Sequence, residues 1–208
     1  MGLPSGTLWA RRYIDVTEPN GFAASELQYG CSYFSWANID GHNTVEGLSF
    51  GDYTFGDDPN QEPYLSSPGH SLQSNIDSVH DAARNVLGTP WQMPSQIDVN
   101  ELVNPLYTDF IDADGNVISP DIVNKIITID GVNCIRLRSK VNGQILVMPA
   151  SGFGVAATVV SQASNIRFWL TNYGSAVSAG VYDVSSSDHH VTSQNRARGV
   201  PIRAIIKL

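Results

Sequence analysis

Asp188, His189 and His190 stand side by side near the C-terminus, directly after three serines, Ser185 to Ser187. These residue types are the raw material of two chemistries. Neutral imidazoles bind transition metals, and a carboxylate, imidazole and hydroxyl in series activate a serine nucleophile. The spacing suits neither. Consecutive strand residues point to opposite faces, so His189 and His190 are badly placed to chelate one ion. A serine hydrolase needs its nucleophile on a strained G-x-S-x-G turn beside an oxyanion hole, and no serine in the chain has that setting. The serine run therefore reads as a turn.

Other clusters lead to the same place. Asp57, Asp58 and Glu62 are most simply a solvated loop face, with calcium as the alternative. The stretch "DADGNV" at 112–117 has the outline of a calcium loop, but it offers too few ligands and no closing glutamate, so it reads as a tight turn. "SGFGVAA" at 151–157 is not followed by a helix with a suitably spaced acidic residue, and no G-x-x-x-x-G-K-[ST] occurs, which leaves nucleotide binding unsupported. Cys31 and Cys134 lie far apart and outside any metal-ligand spacing; each sits among strand-like residues and reads as a buried free thiol, with a bridge between them left open. The sequence thus predicts no catalytic residues, no metal and no cofactor.

Composition narrows the remaining classes. With 208 residues, 42% hydrophobic and 15% charged, the chain can bury a sizeable core without staples. Its net charge of -8 and twelve scattered Lys and Arg argue against a nucleic-acid partner, which needs a basic stripe. No apolar run approaches the roughly 18 residues of a membrane span, so no membrane insertion is expected. The start, "MGLPSGTLWARRYI", lacks the apolar stretch of a signal peptide, and Gly6 stands where a myristoylation pattern has Ser or Thr.

The elements that must position any site are strands at both ends around a helical centre. Residues 7–16 and 29–37 are rich in aromatic and β-branched residues and predict strands. A Gly, Asp and Pro-rich loop follows from 38 to 69, with Tyr53, Phe55 and Tyr64 to pack it. Val79, Ala82, Ala83, Val86 and Leu87 fall at helical spacing, with Asp77 or Ser78 as cap and Gly88 and Pro90 as stop. Ser95 and Asp98 make a capping box for a second helix faced by Val99, Leu102 and Val103 and ended by Pro105. Strands are expected at 125–129, 132–138 and 144–149, the last two joined by an Asn-Gly turn. No repeat and no linker interrupts the chain, which predicts a single α+β domain over 1–208.

What remains is the tail, residues 163–206, where apolar strand-like ends enclose a middle of Ser, Asn, Asp, His, Tyr and Gln with almost no Lys or Glu. That palette is the one paratopes use: rings give contact area at low entropy cost, and small polar groups give adaptable hydrogen bonds. A polar surface loop without a partner is the plain alternative.

Several stretches in order carry a resemblance: "GLPSGTLWA" (2–10), "YGCSYFSWAN" (29–38), "DAARNVLGTPWQMPSQIDVNELV" (81–103), "NGQILVMPASGFG" (142–154) and "FWLTNYGS" with "NRARGVPIRAI" (168–205). Together they resemble the Fibrobacter succinogenes major paralogous domains, common in gut Bacteroidetes and their phages. The resemblance implies a C-type-lectin-like fold of two helices, small antiparallel sheets and long loops, with the N- and C-terminal strands paired. It also implies a non-catalytic, receptor-recognition role at a cell surface or on a phage virion, toward a protein or glycan ligand on a cell surface. Within this fold class the variable proteins of diversity-generating retroelements carry their mutable residues in the C-terminal segment, here 165–198. Trp169 and the strand at 199–205 would then be scaffold. The candidate contacts are Asn172, Tyr173, Ser175, Tyr182, Ser185, Ser187, Asp188, His189, His190, Thr192, Gln194 and Asn195. Tyr173, Tyr182, His189, His190 and Asn195 are expected on one exposed face. The formylglycine-generating branch of the fold uses cysteines close to the C-terminus, and Cys31 and Cys134 both lie outside the tail. The rival expectation is a structural cell-surface or phage tail-fibre domain without diversified binding.

Overall fold

The computed structural model describes residues 1–42, 76–175 and 178–208. Along the chain come β1 (Leu8–Trp9), α1 (Ala82–Leu87), β2 (Trp91–Gln92), α2 (Gln96–Leu102), β3 (Thr108–Phe110), β4 (Ile127–Ile129), β5 (Val132–Ser139) and β6 (Ile145–Pro149). They are followed by β7 (Phe153–Val155), β8 (Thr158–Val160), β9 (Ile166–Ser175), β10 (Ser178–Val184), β11 (His189–Asn195) and β12 (Ile205–Ile206). Small antiparallel sheets with two helices place the chain in the α+β class. The loop expected at 38–69 lies outside the described residues from 43 onward, as do Tyr53, Phe55, Tyr64 and the Asp57, Asp58, Glu62 cluster.

The chain ends pair as expected, but along far fewer residues. β1 runs antiparallel to β12, Leu8 opposite Ile206, and β2 closes the other side of β12. Beyond Trp9 the contact continues as single hydrogen bonds, Ala10 N–H to the Ala204 carbonyl (2.9 Å) and Ile14 N–H to that of Ile202 (3.2 Å). Pro201 interrupts the ladder because it has no N–H to give. The stretch 29–37 is likewise not a regular strand: Phe34 and Val200 exchange two backbone bonds, and Tyr33 pairs with His42.

Both helices form, one later than expected. α1 starts at Asp81, whose carboxylate accepts from Arg84 N–H and, across the chain, from Met93 N–H. Asp77 does not cap the helix, because its carboxylate accepts from Val79 and His80 N–H and closes a separate turn. Val79, expected on the apolar face, is 65% exposed in that turn. α2 has the expected capping box, Ser95 and Asp98 each accepting the other's backbone N–H, and buries Val99 and Leu102. The 140–144 turn joins β5 to β6, with Gly143 at a positive φ of 73° that suits glycine. The 112–117 stretch is the expected turn: Asp112 accepts from Asn116 N–H (2.8 Å), and Arg136 donates to the Asp112 and Ala113 carbonyls. Cys31 and Cys134 are buried free thiols, pushed up by burial to about 12 and about 11.

The meander β9–β10–β11 is a wall with apolar packing on both sides. Ile166, Phe168, Leu170, Tyr182 and Val184 join a cluster with Leu137, Met148, Val99 and Leu102 from β5, β6 and α2. Trp169, Ala179 and Val181 belong to a second cluster with Phe34, Trp36, Ala83 and Ile202. Two tryptophans lock that second side: Trp169 Nε1–H donates to the Phe34 carbonyl (2.6 Å), and Trp36 Nε1–H to that of Leu170 (2.8 Å). Arg203, fully buried, lies 4.9 Å from the Tyr13 ring and donates to the Arg11 carbonyl (2.6 Å) and to that of Val147, tying the β1 segment to β6. Burial lowers its guanidinium to about 10.

Candidate functional site

The tail's polar residues sit on the β10–β11 hairpin and at the far end of β9. In the hairpin Val184 faces His189, Tyr182 faces Val191, Asp183 faces His190 and Val181 faces Thr192. Directly opposed residues share a face, and alternate residues change face. His189 and Val191 therefore lie on the side of Tyr182 and Val184, over the first cluster. His190, Thr192 and Gln194 form a row on the other side. Six residue steps carry β11 from His189 to Asn195, about 20 Å of strand.

This alternation corrects two expectations. Tyr182 is 1% exposed, its ring 5.4 Å from that of Phe168, and is core, not contact surface. Burial pushes its hydroxyl well above the usual tyrosine range, and no hydrogen-bond partner within the described residues meets that hydroxyl. The single exposed face holding Tyr173, Tyr182, His189, His190 and Asn195 does not form, because neighbours in a strand cannot share a face. Tyr173 stands on β9 opposite Ala179.

The other candidates divide by what already holds them. Asn172 Oδ1 accepts from Gln96 N–H (2.6 Å), fastening β9 to the start of α2. The Ser175 hydroxyl lies 2.8 Å from that of Ser178, and Asn195 Oδ1 accepts from Ala197 N–H (2.9 Å). Gln194 Oε1 accepts from Asn195 N–H (3.0 Å). At the hairpin tip Ser185 N–H donates to the Asp188 carbonyl (2.8 Å), which closes the expected serine turn, while the Ser185 and Ser187 hydroxyls pair at 3.0 Å. Asp188 accepts from His189 N–H (2.7 Å) and lies 3.0 Å from His190 Nδ1. His189 turns inward against Phe110 of β3, ring centroids 5.1 Å apart, and burial, with Lys125 adding to it, holds its imidazole below the usual histidine range.

The most open part is thus the tip, Ser186 to Asp188, continuing through His190 and the half-exposed Thr192 and Gln194. Two features there escaped the sequence reading. Ser193 is exposed on the same strand. Arg167 of β9 is ion-paired with Asp183 of β10, which faces His190, and its guanidinium lies 4.3 Å from the Phe153 ring. Opposite charges facing across strands were the available signal. At the far end of β9 a groove of about 550 Å³ is lined by Thr171, Asn172, Asp77, Asp81, Arg84 and Lys207. A comparable groove of about 580 Å³, walled by Phe22, Trp91, Arg11 and Arg12, includes no tail residue. Among the described residues no group of three or more His, Cys, Asp or Glu side chains is gathered to hold a metal, and no helix is long and apolar enough to cross a membrane.

Chemically, this surface offers hydrogen-bond donors and acceptors in a fixed row, with one carboxylate and one exposed imidazole. No family model, curated protein or solved structure matches the chain.

Proposed function

We propose that the chain is a non-catalytic ligand-binding protein that presents the β10–β11 hairpin tip and the row His190, Thr192, Gln194 of β11 to a protein or glycan on a cell surface, on a C-type-lectin-like scaffold. The observation that carries the reading is the row His190, Thr192, Gln194, continuous with the exposed tip at Asp188, on an edge strand of a sheet packed on both sides. Such a strand holds its backbone while its outward side chains change, which is what a recognition surface open to diversification requires. Paired chain ends, two short helices and small antiparallel sheets support the lectin-like scaffold. A role as a retroelement variable protein of a phage or gut bacterium rests on the sequence resemblance and the tail's composition.

The test is a combined Asp188→Ala, His190→Ala, Thr192→Ala, Gln194→Ala variant, measured for unfolding midpoint and for capture of candidate host cells and arrayed glycans. The reading requires loss of capture with a nearly unchanged midpoint. Unaltered capture removes it.

A structural surface or tail-fibre domain is the second reading. It is favoured by the burial of Tyr182 and by the internal hydrogen bonds of Asn172, Ser175 and Asn195. It requires the combined variant to be indistinguishable from the parent in every binding assay.

A further inference from the structure

Lys125 is 3% exposed, yet among the described residues its ammonium makes one hydrogen bond, to the Ser119 carbonyl (2.8 Å), and no ion pair. Lysines are almost never so buried unless paired, because a desolvated cation is costly. The Nζ lies 5.7 Å from the centre of the Phe110 ring, and the His189 imidazole packs on that same ring. Neither ring nitrogen of His189 takes part in a hydrogen bond within the described residues. Lys125, Phe110 and His189 together line a cavity of about 150 Å³ whose remaining walls include Val103, Pro105 and Ile118.

From this geometry we infer that the cavity is a binding site for a short aliphatic monocarboxylate, held by the Lys125 ammonium and the His189 ring, with its alkyl end against the apolar wall. The two ammonium N–H groups not used by Ser119 are charge-assisted donors of the kind a carboxylate takes. Size limits the ligand to roughly five water-sized groups, which fits two carbons and a carboxylate. Charge limits it too. Asp109 lines the same cavity, 3.0 Å from Lys140 and 3.8 Å from Arg138, and Asp121 and Asp188 lie near Lys125 and His189. A dianion such as phosphate would meet these carboxylates with Lys125 as the one Lys or Arg among the described residues that line the cavity. The site is independent of the outward row on β11, since His189 points to the opposite face from His190.

The experiment is a nitrogen-15 NMR titration of the full chain with sodium propionate, and in parallel with propionamide and inorganic phosphate. Expected are saturable shifts centred on the amides of Phe110, Ser119, Lys125 and His189, with no saturable shifts there from propionamide or phosphate. Lys125→Met should weaken propionate binding roughly ten- to a hundredfold, the range for hydrogen bonds to a charged group. Should Lys125→Met fail to fold, the parent protein decides alone, through the difference between propionate and its neutral amide. No saturable propionate shift, equal response to propionamide, comparable binding of phosphate, or full affinity in a folded Lys125→Met variant would each overturn the assignment.

Discussion

Replacing Tyr182 separates a core tyrosine from a contact tyrosine, and the two substitutions that do so have opposite signs. Tyr182 is 1% exposed in the cluster with Phe168, Val184 and Leu170, and its hydroxyl is buried without a hydrogen-bond partner among the described residues. Tyr182→Ala removes an aromatic side chain of the kind that buries about 150 to 250 Å². At roughly 25 cal/mol per Å² that is about 4 to 6 kcal/mol, close to the about 3 to 5 kcal/mol measured for large aromatic deletions. Taking about 4 kcal/mol and 2 to 4 °C per kcal/mol for a chain of this size, the unfolding midpoint should fall by roughly 8 to 16 °C. Tyr182→Phe keeps the ring and removes the unmet hydroxyl, so its effect should run from neutral to about 1 kcal/mol stabilising. Urea unfolding of both variants beside the parent reads the two numbers. A loss of more than about 1 kcal/mol in Tyr182→Phe would show that the hydroxyl has a partner, and the burial argument would fall. A change within about 0.5 kcal/mol in Tyr182→Ala would return Tyr182 to the surface.

Arg203→Met should cost about 2 to 4 kcal/mol in urea unfolding, because the Arg11 and Val147 carbonyls lose their shared donor in the interior. Arg203→Lys should restore part of that loss, since both bonds come from the one Nη2 atom and an ammonium has three donors, while the guanidinium's contact with the Tyr13 ring is lost. The combined His190→Ala, Thr192→Ala, Gln194→Ala variant should change stability by no more than about 1.5 kcal/mol, about 0.5 for each outward residue, in the same assay. His189 is held below its ordinary value of 6.5 by burial and by Lys125, against the pull of Asp188, and with His190 adding. The unfolded chain therefore takes this proton first, and the stability it contributes is present above pH 6.5 and lost as pH falls through the folded value. Between pH 7 and pH 5.5, solvent conditions chosen on either side of the ordinary value of 6.5, His189→Gln should lose less stability than the parent; equal losses would refute the assignment.

Local structure is legible in the sequence where one short segment contains the whole cause. The Ser95 and Asp98 capping box, the 112–117 turn and the hairpin over Asn142 and Gly143 each depend on residues a few positions apart. The start of α1 is not legible locally because its cap, Asp81, is selected partly by a distant donor, Met93 N–H. Asp77 has equal intrinsic capping ability and spends it on a turn. The end strands were overextended for a similar reason. Regular pairing needs a partner at each residue, and the partner segment contains Pro201. At the tail, composition identified which residue types were available but carried no information on facing. That Tyr182 is inside and His190 outside follows from the register of β10 against β9 and β11, a long-range property.

That register has a consequence for the proposed recognition role. Because both faces of the sheet are packed beside β9 and β10, a change at Trp169, Val181, Tyr182 or Val184 is a change to the core. β11 is an edge strand, and its outward row has no layer over His190. Its inward row is constrained by Val191 against the first cluster and by His189 against Phe110. Free variation is thus confined to the outward row of that strand, to the exposed Ser193 and to the Ser186–Asp188 tip. A ligand read by such a surface meets a narrow line of side chains spaced by about 7 Å, two residue steps of strand. An extended or repetitive target suits that line better than a deep protruding one. It also keeps a tail poor in Lys and Glu open to solvent, since Ser186 to Asp188, His190 and Ser193 are exposed along the tip and β11.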